Sequence, residues 1–343
     1  MKLLICTQAI DTNHPILGFF HGWVLEFSRH FDEVHVVCLQ KGTYDLPKNV
    51  FVYSLGKEEG ENKLKYLIRF YRYFARIFFR IKVDYVFFHM GAIYNILAAP
   101  FFLLRKIFNT KFYWWKAHGY IGPEAQAALL FVDNVYTSTE SGFSRATSKK
   151  RIVGQAIPTE IFVLPSNTDQ RNKEIIYVGR IMPVKHIEDF IDTAKILLLK
   201  HDDLRFSIIG PVGDALYFKK LQEKIQQENM GHAIQFVDSK TQNELVGIYQ
   251  KAAFFLNTSL TQSMDKTVLE AALCGCLPVT ANKAFEEFLG QEKLYAKQPT
   301  AERYADLILN YIEQDTTTLR HQLREKVVMS HSLETFTKRV FNI

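Results

Sequence analysis

Arg180 and Lys185 stand in a loop after one apolar run (residues 174–178), Gly210 and Gly213 in a loop after another (205–209), and Lys266 in a polar stretch after a third (252–256). In an open parallel sheet, ligands bind beyond the carboxyl ends of the strands, and a helix amino terminus there offers unpaired N–H groups to an anion. A pyrophosphate is the ligand that uses cations, close-approach glycines and free N–H groups together. Charge-assisted bonds to such an anion contribute roughly 1.5–3 kcal/mol each, so two cations outweigh any single hydroxyl contact. Taken singly, Arg180 and Lys185 read as solvated loop charges; only their convergence with the other features argues for a ligand.

The elements that must position these residues alternate. Residues 251–281 read as a buried strand (252–256), a polar loop, a short helix (about 267–274) and a second buried strand. Upstream come a strand at 174–178, a helix at 187–200, a strand at 205–209, a long helix to about 229, a strand at 234–237 and a helix at 242–250. Residues 300–313 and 317–341 read as helical. The first half alternates in the same way, with strands at 2–7, 34–39, 83–89, 111–115, 135–138 and 151–153 and helices ending near 31, over 63–82 and over 92–108. Strands alternating with helices predict a doubly wound α/β domain, here twice. With 343 residues, 48% of them apolar, the chain can bury two ordinary cores. The polar passage 164–173 reads as the linker, giving an amino-terminal domain over 1–165 and a second over 166–325. The first loop carries Gly18 but no GxGxxG, so hydride chemistry loses its main sequence support. His118 falls just past a strand's carboxyl end, where it would either meet a ligand or bond a neighbouring carbonyl.

Charge is unevenly placed. Residues 1–165 hold 20 Lys and Arg against 13 Asp and Glu, and the remainder 22 against 23. In the segment 63–82, Lys65, Arg69, Arg72, Arg76 and Arg80 recur every three or four residues, so one helical stripe is cationic while leucines, isoleucines and aromatics fill the rest. Such a helix fits an anionic membrane surface, and equally a domain helix whose basic stripe faces water. A second basic-aromatic stretch, 101–116, favours the membrane. Nucleic acid is not expected as a partner, because no recognised module is visible and the cations alternate with core residues. No apolar run is long enough to span a bilayer, and the amino terminus turns polar too soon for a signal peptide. Cys6, Cys38, Cys274 and Cys276 read as reduced core thiols, and the expected location is cytoplasmic, peripheral on the inner membrane surface if the basic helix binds lipid.

The ordered motifs V-G-R-I-M-P-V-K-H (178–186), I-I-G (208–210) and S-L-T-Q-S-M-D-K-T-V-L-E-A-A-L-C-G-C-L-P-V (259–279) resemble the donor domain of glycosyltransferase family 4. H-P-I-L-G-F-F-H (14–21) and K-A-H-G (116–119) are similar, more weakly, to its acceptor domain, so that the resemblance covers nearly the whole chain. It implies the GT-B fold, two Rossmann-like domains facing a central cleft, with a terminal helix (326–343) packing back on the first. It also implies sugar transfer from a nucleotide donor with retention of configuration and without metal or other cofactor, to a glycan or lipid-linked acceptor such as a cell-envelope polysaccharide or lipopolysaccharide. By motif position Arg180 and Lys185 would hold the donor diphosphate. Gly210, Gln262, Ser263, Asp265, Lys266 and Thr267 would line the donor site, and Glu270 would bond the nucleotide ribose. Gly18 would approach the donor phosphates, and His118 would lie beside the transferred sugar. Thr267 to Glu270 also has the spacing of a capping box.

One position departs from that pattern. The family's first glutamate, seven residues before the second, is here Gln262, whose amide can bond sugar hydroxyls but carries no charge. Either activity survives with altered donor choice, or Asp265 and Lys266 substitute, or the chain is an inactive nucleotide-sugar-binding scaffold. The chemistry itself needs fixed cations and N–H groups aimed at the leaving diphosphate, where negative charge develops. No DxD metal motif stands in a suitable loop; Asp202 and Asp203 read as a polar turn.

Overall fold

The structure, a computed structural model, describes residues 1–14, 16–166, 172–290 and 293–343. The chain divides into two units, Met1–Ala156 with Leu333–Ile343, and Ile157–Ser332.

The first unit is built on a parallel sheet of β1 (Lys2–Ile10), β2 (Glu33–Lys41), β3 (Val50–Ser54), β4 (Tyr85–His89), β5 (Lys111–Trp115), β6 (Asn134–Thr137) and β7 (Lys150–Ile152), in the order β3-β2-β1-β4-β5-β6-β7. β1 is central and covered on both faces, which is why Leu3 to Cys6 are all buried instead of alternating. On one face, side chains of α2 (Lys63–Arg76), α3 (Ala92–Leu97), α4 (Ala99–Phe108) and α5 (Pro123–Ala128) pack with Leu4, Cys6, Val86 and Trp114. On the other, α1 (Phe20–Ser28) sets Phe20, Trp23 and Phe27 against Leu3, Ile5 and Phe87.

The second unit carries a parallel sheet of β8 (Asn172–Val178), β9 (Arg205–Ile209), β10 (Ile234–Val237), β11 (Ala252–Asn257) and β12 (Leu277–Thr280), in the order β10-β9-β8-β11-β12. Its helices are α6 (Ile187–Leu198), α7 (Ala215–Gln227), α8 (Gln242–Lys251), α9 (Lys266–Leu273), α10 (Glu286–Leu289), α11 (Ala301–Leu309) and α12 (Thr317–His331). Strand order reverses between β8 and β11, and the carboxyl end of such a switch point is where open parallel sheets bind ligands. β12 is an edge strand, which tolerates Pro278 because a missing N–H can face outward there. The last helix, α13 (Leu333–Phe341), belongs to the first unit, with Phe336 packed 4.7 Å from the Trp23 ring.

Several expected elements differ in detail. The helix over 63–82 is α-helical to Arg76 and then widens into a π-turn, Ile77–Ile81, which brings the neighbouring Ile77 and Phe78 both inward. The helix over 92–108 is two, interrupted at Ala98, with Pro100 in the first turn of α4 where its missing N–H costs nothing. The helix over 317–341 is also two, because Ser332 is extended. The expected linker at 164–173 lies largely outside the described residues. The chain divides at 156/157 and 332/333, not at 165/166 and 325/326, and the division follows packing. The Trp23 indole N–H donates to Ala156 O, while the Ile157 N–H donates to His331 O in the other unit. All four cysteines are buried. No helix among the described residues is long and apolar enough to cross a membrane.

Candidate functional site at the β8/β11 crevice

The loops leaving β8 and β11 are tied together by their backbones and side chains. Thr258, just past β11, donates its hydroxyl to the carbonyl of Lys185 at 2.8 Å. Lys185 ends a short turn, Pro183–Lys185, and its ammonium donates to Asp265 Oδ1 and Oδ2 at 3.0 and 3.2 Å and to Ser259 Oγ at 3.3 Å. Asn257 Nδ2 donates to the same carboxylate at 3.1 Å, and Thr280 at the end of β12 donates its hydroxyl to Asn257 Oδ1 at 3.0 Å. A chain of polar groups thus runs along the carboxyl edge of the sheet from β12 through β11 to the β8 loop.

Asp265 is the N-cap residue of α9, yet its side chain makes no capping bond, because its oxygens are turned to Lys185 and Asn257. The start of α9 therefore has no side-chain cap, while the Val268 N–H donates to the Asp265 carbonyl at 3.3 Å. The capping-box expectation for Thr267 and Glu270 does not hold. With Thr267 as N-cap the helix would begin at Val268, but it begins at Lys266, two residues earlier, and Glu270 lies past its N3 position. Glu270 is instead buried, accepting from the Tyr249 hydroxyl at 3.4 Å. Burial raises its carboxyl well above the ordinary glutamate range, partly opposed by Lys266 one helical turn away. Burial likewise lowers the Lys266 ammonium, with Glu270 opposing.

The β9 loop joins this edge by close backbone approach. Gly210 has φ +147°, and a Cβ there would lie 2.1 Å from the carbonyl oxygen of Gly179. Only glycine fits. Ile181 N–H donates to Pro211 O, and the Gly213 and Asp214 N–H groups both donate to Ile181 O, which locks the β9 loop beside the loop carrying Arg180. The Arg180 side chain is exposed and makes no hydrogen bond or ion pair with a described residue, while its carbonyl accepts from the buried Tyr177 hydroxyl at 3.3 Å. Gln262 is exposed at φ +56°, and Ser263 is fixed through its carbonyl by Asn282 Nδ2 at 2.8 Å.

Lys185 and Asp265 are thus in direct contact, Lys266, Thr267 and Glu270 share α9, and Arg180 and Gly210 belong to adjoining loops. Asn257, Ser259, Thr280 and Tyr249 were not expected from sequence. An asparagine closing an apolar strand was a readable signal for the first; nothing local marked Tyr249.

Gly18 and His118 belong to the first unit. A Cβ at Gly18 would lie 2.8 Å from Thr12 O, so the turn into α1 needs glycine, and His14 Nδ1 accepts from the N–H groups of Ile16 and Leu17 in that turn. His118 is exposed beyond β5, and its Nδ1 accepts from the Tyr120 N–H at 3.3 Å rather than donating to a neighbouring carbonyl.

Among the expected membrane-facing cations, Lys65 pairs with Glu61 at 2.6 Å, and Arg69 with Glu59 at 2.8 Å and Glu61 at 3.2 Å. Arg72, Arg76 and Arg80 are exposed.

Residues 159–327 match the family model described as glycosyl transferases group 1. Over 178 residues the chain is 30% identical to the D-inositol 3-phosphate glycosyltransferase of Corynebacterium urealyticum, a match taking in 48% of this chain and 42% of that relative. The chain therefore spans less than half the length of that curated relative. Among solved structures it is similar to Anabaena Alr3699/HepE in complex with UDP, with a TM-score of 0.75 at 13% identity, covering 100% of this chain and 99% of that one. It is similar also to the lipopolysaccharide outer core galactosyltransferase WaaB, with a TM-score of 0.66 at 15% identity, covering 100% and 98%. With a parallel Rossmann-like sheet in each unit, the chain has the GT-B fold, and its residues 159–327 resemble the glycosyl transferases group 1 domain.

Proposed function

We propose that the chain is a glycosyltransferase that moves a sugar from a nucleotide-sugar donor to a glycan or lipid-linked acceptor, with retention of configuration and without a metal. The observation that carries this reading is the grouping of Arg180, Lys185 and the uncapped start of α9 at the β8/β11 crevice. A structural relative, Anabaena Alr3699/HepE, has been solved with UDP and with UDP-glucose, which supports a uridine nucleotide as the first donor to test.

The reaction breaks the bond between the anomeric carbon and the diphosphate oxygen. Negative charge then grows on the leaving diphosphate and positive charge on the sugar ring. The Arg180 guanidinium is exposed and available to that diphosphate, the Lys185 ammonium is already held in place by Asp265 and Ser259, and the start of α9 carries no side-chain cap. Fixed donors of this kind stabilise the developing charge with little reorganisation. Glu270 bonds the nucleotide ribose, and Gln262 and Ser263 meet the sugar hydroxyls.

Gln262 favours a second reading, a nucleotide-sugar-binding scaffold with little turnover, because the amide cannot supply the charge of the family's first glutamate. Release of nucleoside diphosphate from a panel of nucleotide sugars, with chelator present, separates the two. Release that is lost in Arg180→Ala supports transfer; binding of the donor without release supports the scaffold.

A further inference from the structure

We propose that α2 and α4 of the first unit together form a docking surface for an anionic lipid bilayer, with aliphatic side chains entering the lipid and a set of cations meeting its phosphates. This inference stands independently of the transfer reaction.

Both helices expose large aliphatic side chains. On α2, Leu64 is 66% exposed and Ile68 58%, one turn apart, with Leu67 exposed beside them. On α4, Leu103 is 73% exposed and Ile107 74%, again one turn apart. The two helices adjoin. Tyr71 of α2 lies 6.3 Å from Phe101 of α4, and the exposed Phe79 in the π-turn touches both Phe101 and Phe108, at 5.8 and 5.7 Å. Leu64, Leu67, Ile68 and Tyr71 recur at helical spacing between the buried face of Phe70 and Phe74 and the cationic face of Arg72 and Arg76. A helix needs only its core face apolar in water, so this second apolar stripe lacks a purpose inside the unit.

The charge states the occupant. Residues 62–123 hold eleven Lys and Arg and one acid, Asp84. Not all of these cations are free for a surface. Lys65 and Arg69 are neutralised by Glu59 and Glu61, and Arg105 is held by Asp133 at 2.9 Å. Arg72, Arg76, Arg80, Lys82 and Lys106 are exposed and pair with no acid among the described residues. They flank the aliphatic stripes. A nucleic acid would use the cations but leave four large aliphatics in water, and a second copy of this chain would set like charges against each other. An anionic bilayer uses both features at once.

The test is flotation of the purified full chain with vesicles of phosphatidylcholine alone and of phosphatidylcholine mixed with phosphatidylglycerol. The wild type is expected to bind only the mixed vesicles. Arg72→Glu/Arg76→Glu/Arg80→Glu is expected to lower that binding by about a hundredfold, since each basic residue near an anionic surface contributes roughly a fivefold factor. Leu103→Ser/Ile107→Ser, with every cation intact, is expected to lower it by about tenfold or more. Leu64→Ser/Ile68→Ser carries the same expectation on the other helix, should the first pair impair folding as read from its thermal unfolding midpoint. Lys65→Gln is expected to change binding less than about twofold, because Glu61 already neutralises Lys65. Equal binding to both vesicle types, wild-type binding by both serine variants, or salt-sensitive binding to single-stranded nucleic acid without vesicle binding would each overturn the proposal. Nucleotide binding, measured on the same samples, reports separately on the second unit.

Discussion

The ammonium of Lys185 lies 3.0 Å from Oδ1 of Asp265, joining the loop after β8 to the start of α9, and both side chains are mostly buried, at 16% and 19% exposure. The cation assigned to the donor diphosphate is thus held in place before any donor arrives. Lys185→Ala should lower stability by about 1–2 kcal/mol, because Asp265 is left without its cation in a partly buried site. Asp265→Asn combined with Lys185→Ala should recover much of that loss, so a double-mutant cycle by urea unfolding should give a clear coupling. Additive effects would mean that the pair is incidental.

Gly210 tests the backbone side of the same edge. Gly210→Ala forces a Cβ to within 2.1 Å of Gly179 O at φ +147°, and both backbones must move apart. A loss of about 2–4 kcal/mol is expected by urea unfolding, with nucleotide affinity lost as well because the Arg180 loop is displaced. Gly231→Ala, whose added Cβ meets nothing within 4 Å, is the matched control and should have a much smaller effect.

Glu270 makes stability pH-dependent in a stated direction. Burial raises its folded pKa above the ordinary value of 4.5, so the native state holds a proton that the unfolded state has released. The stability contributed by this group is therefore fully present below pH 4.5 and is lost as pH rises through the raised value toward neutrality. Glu270→Gln cannot titrate. Wild-type stability minus that of the variant should fall as pH rises across this window, read from thermal unfolding at a series of pH values. A difference that does not change with pH would contradict the burial argument.

Strands covered on both faces were the most legible part of the sequence. Leu3 to Cys6, Ile175 to Val178 and Ala252 to Leu256 are continuous apolar runs because no face of them meets water, and their spacing by helices gave the parallel sheets. β3 was not read, because at a sheet edge Val50 to Ser54 is mostly half-exposed and mixed in pattern. Breaks set by one residue were also hidden: the extended Ser332 parts α12 from α13, so the terminal helix expected to pack on the first domain begins at Leu333 instead of at 326. At the site, Arg180, Lys185 and Gly210 were legible from residue type and position after strands. The partners that orient them were not. Nothing in the sequence pairs Lys185 with Asp265, 80 residues away, or Tyr249 with Glu270, since these contacts exist only once β8 and β11 lie side by side.

The central claim is that the β8/β11 crevice binds a nucleoside diphosphate through Arg180, Lys185 and the start of α9. The most direct test is thermal unfolding of the wild type and of Arg180→Ala/Lys185→Ala against UDP and the other nucleoside diphosphates, with chelator present. Ligand at a hundredfold excess over its dissociation constant adds about 2.7 kcal/mol, so a bound nucleotide should raise the wild-type midpoint visibly. The account predicts such a rise with at least one nucleotide, metal-independent and absent from the double variant. A rise of equal size in the variant would contradict it.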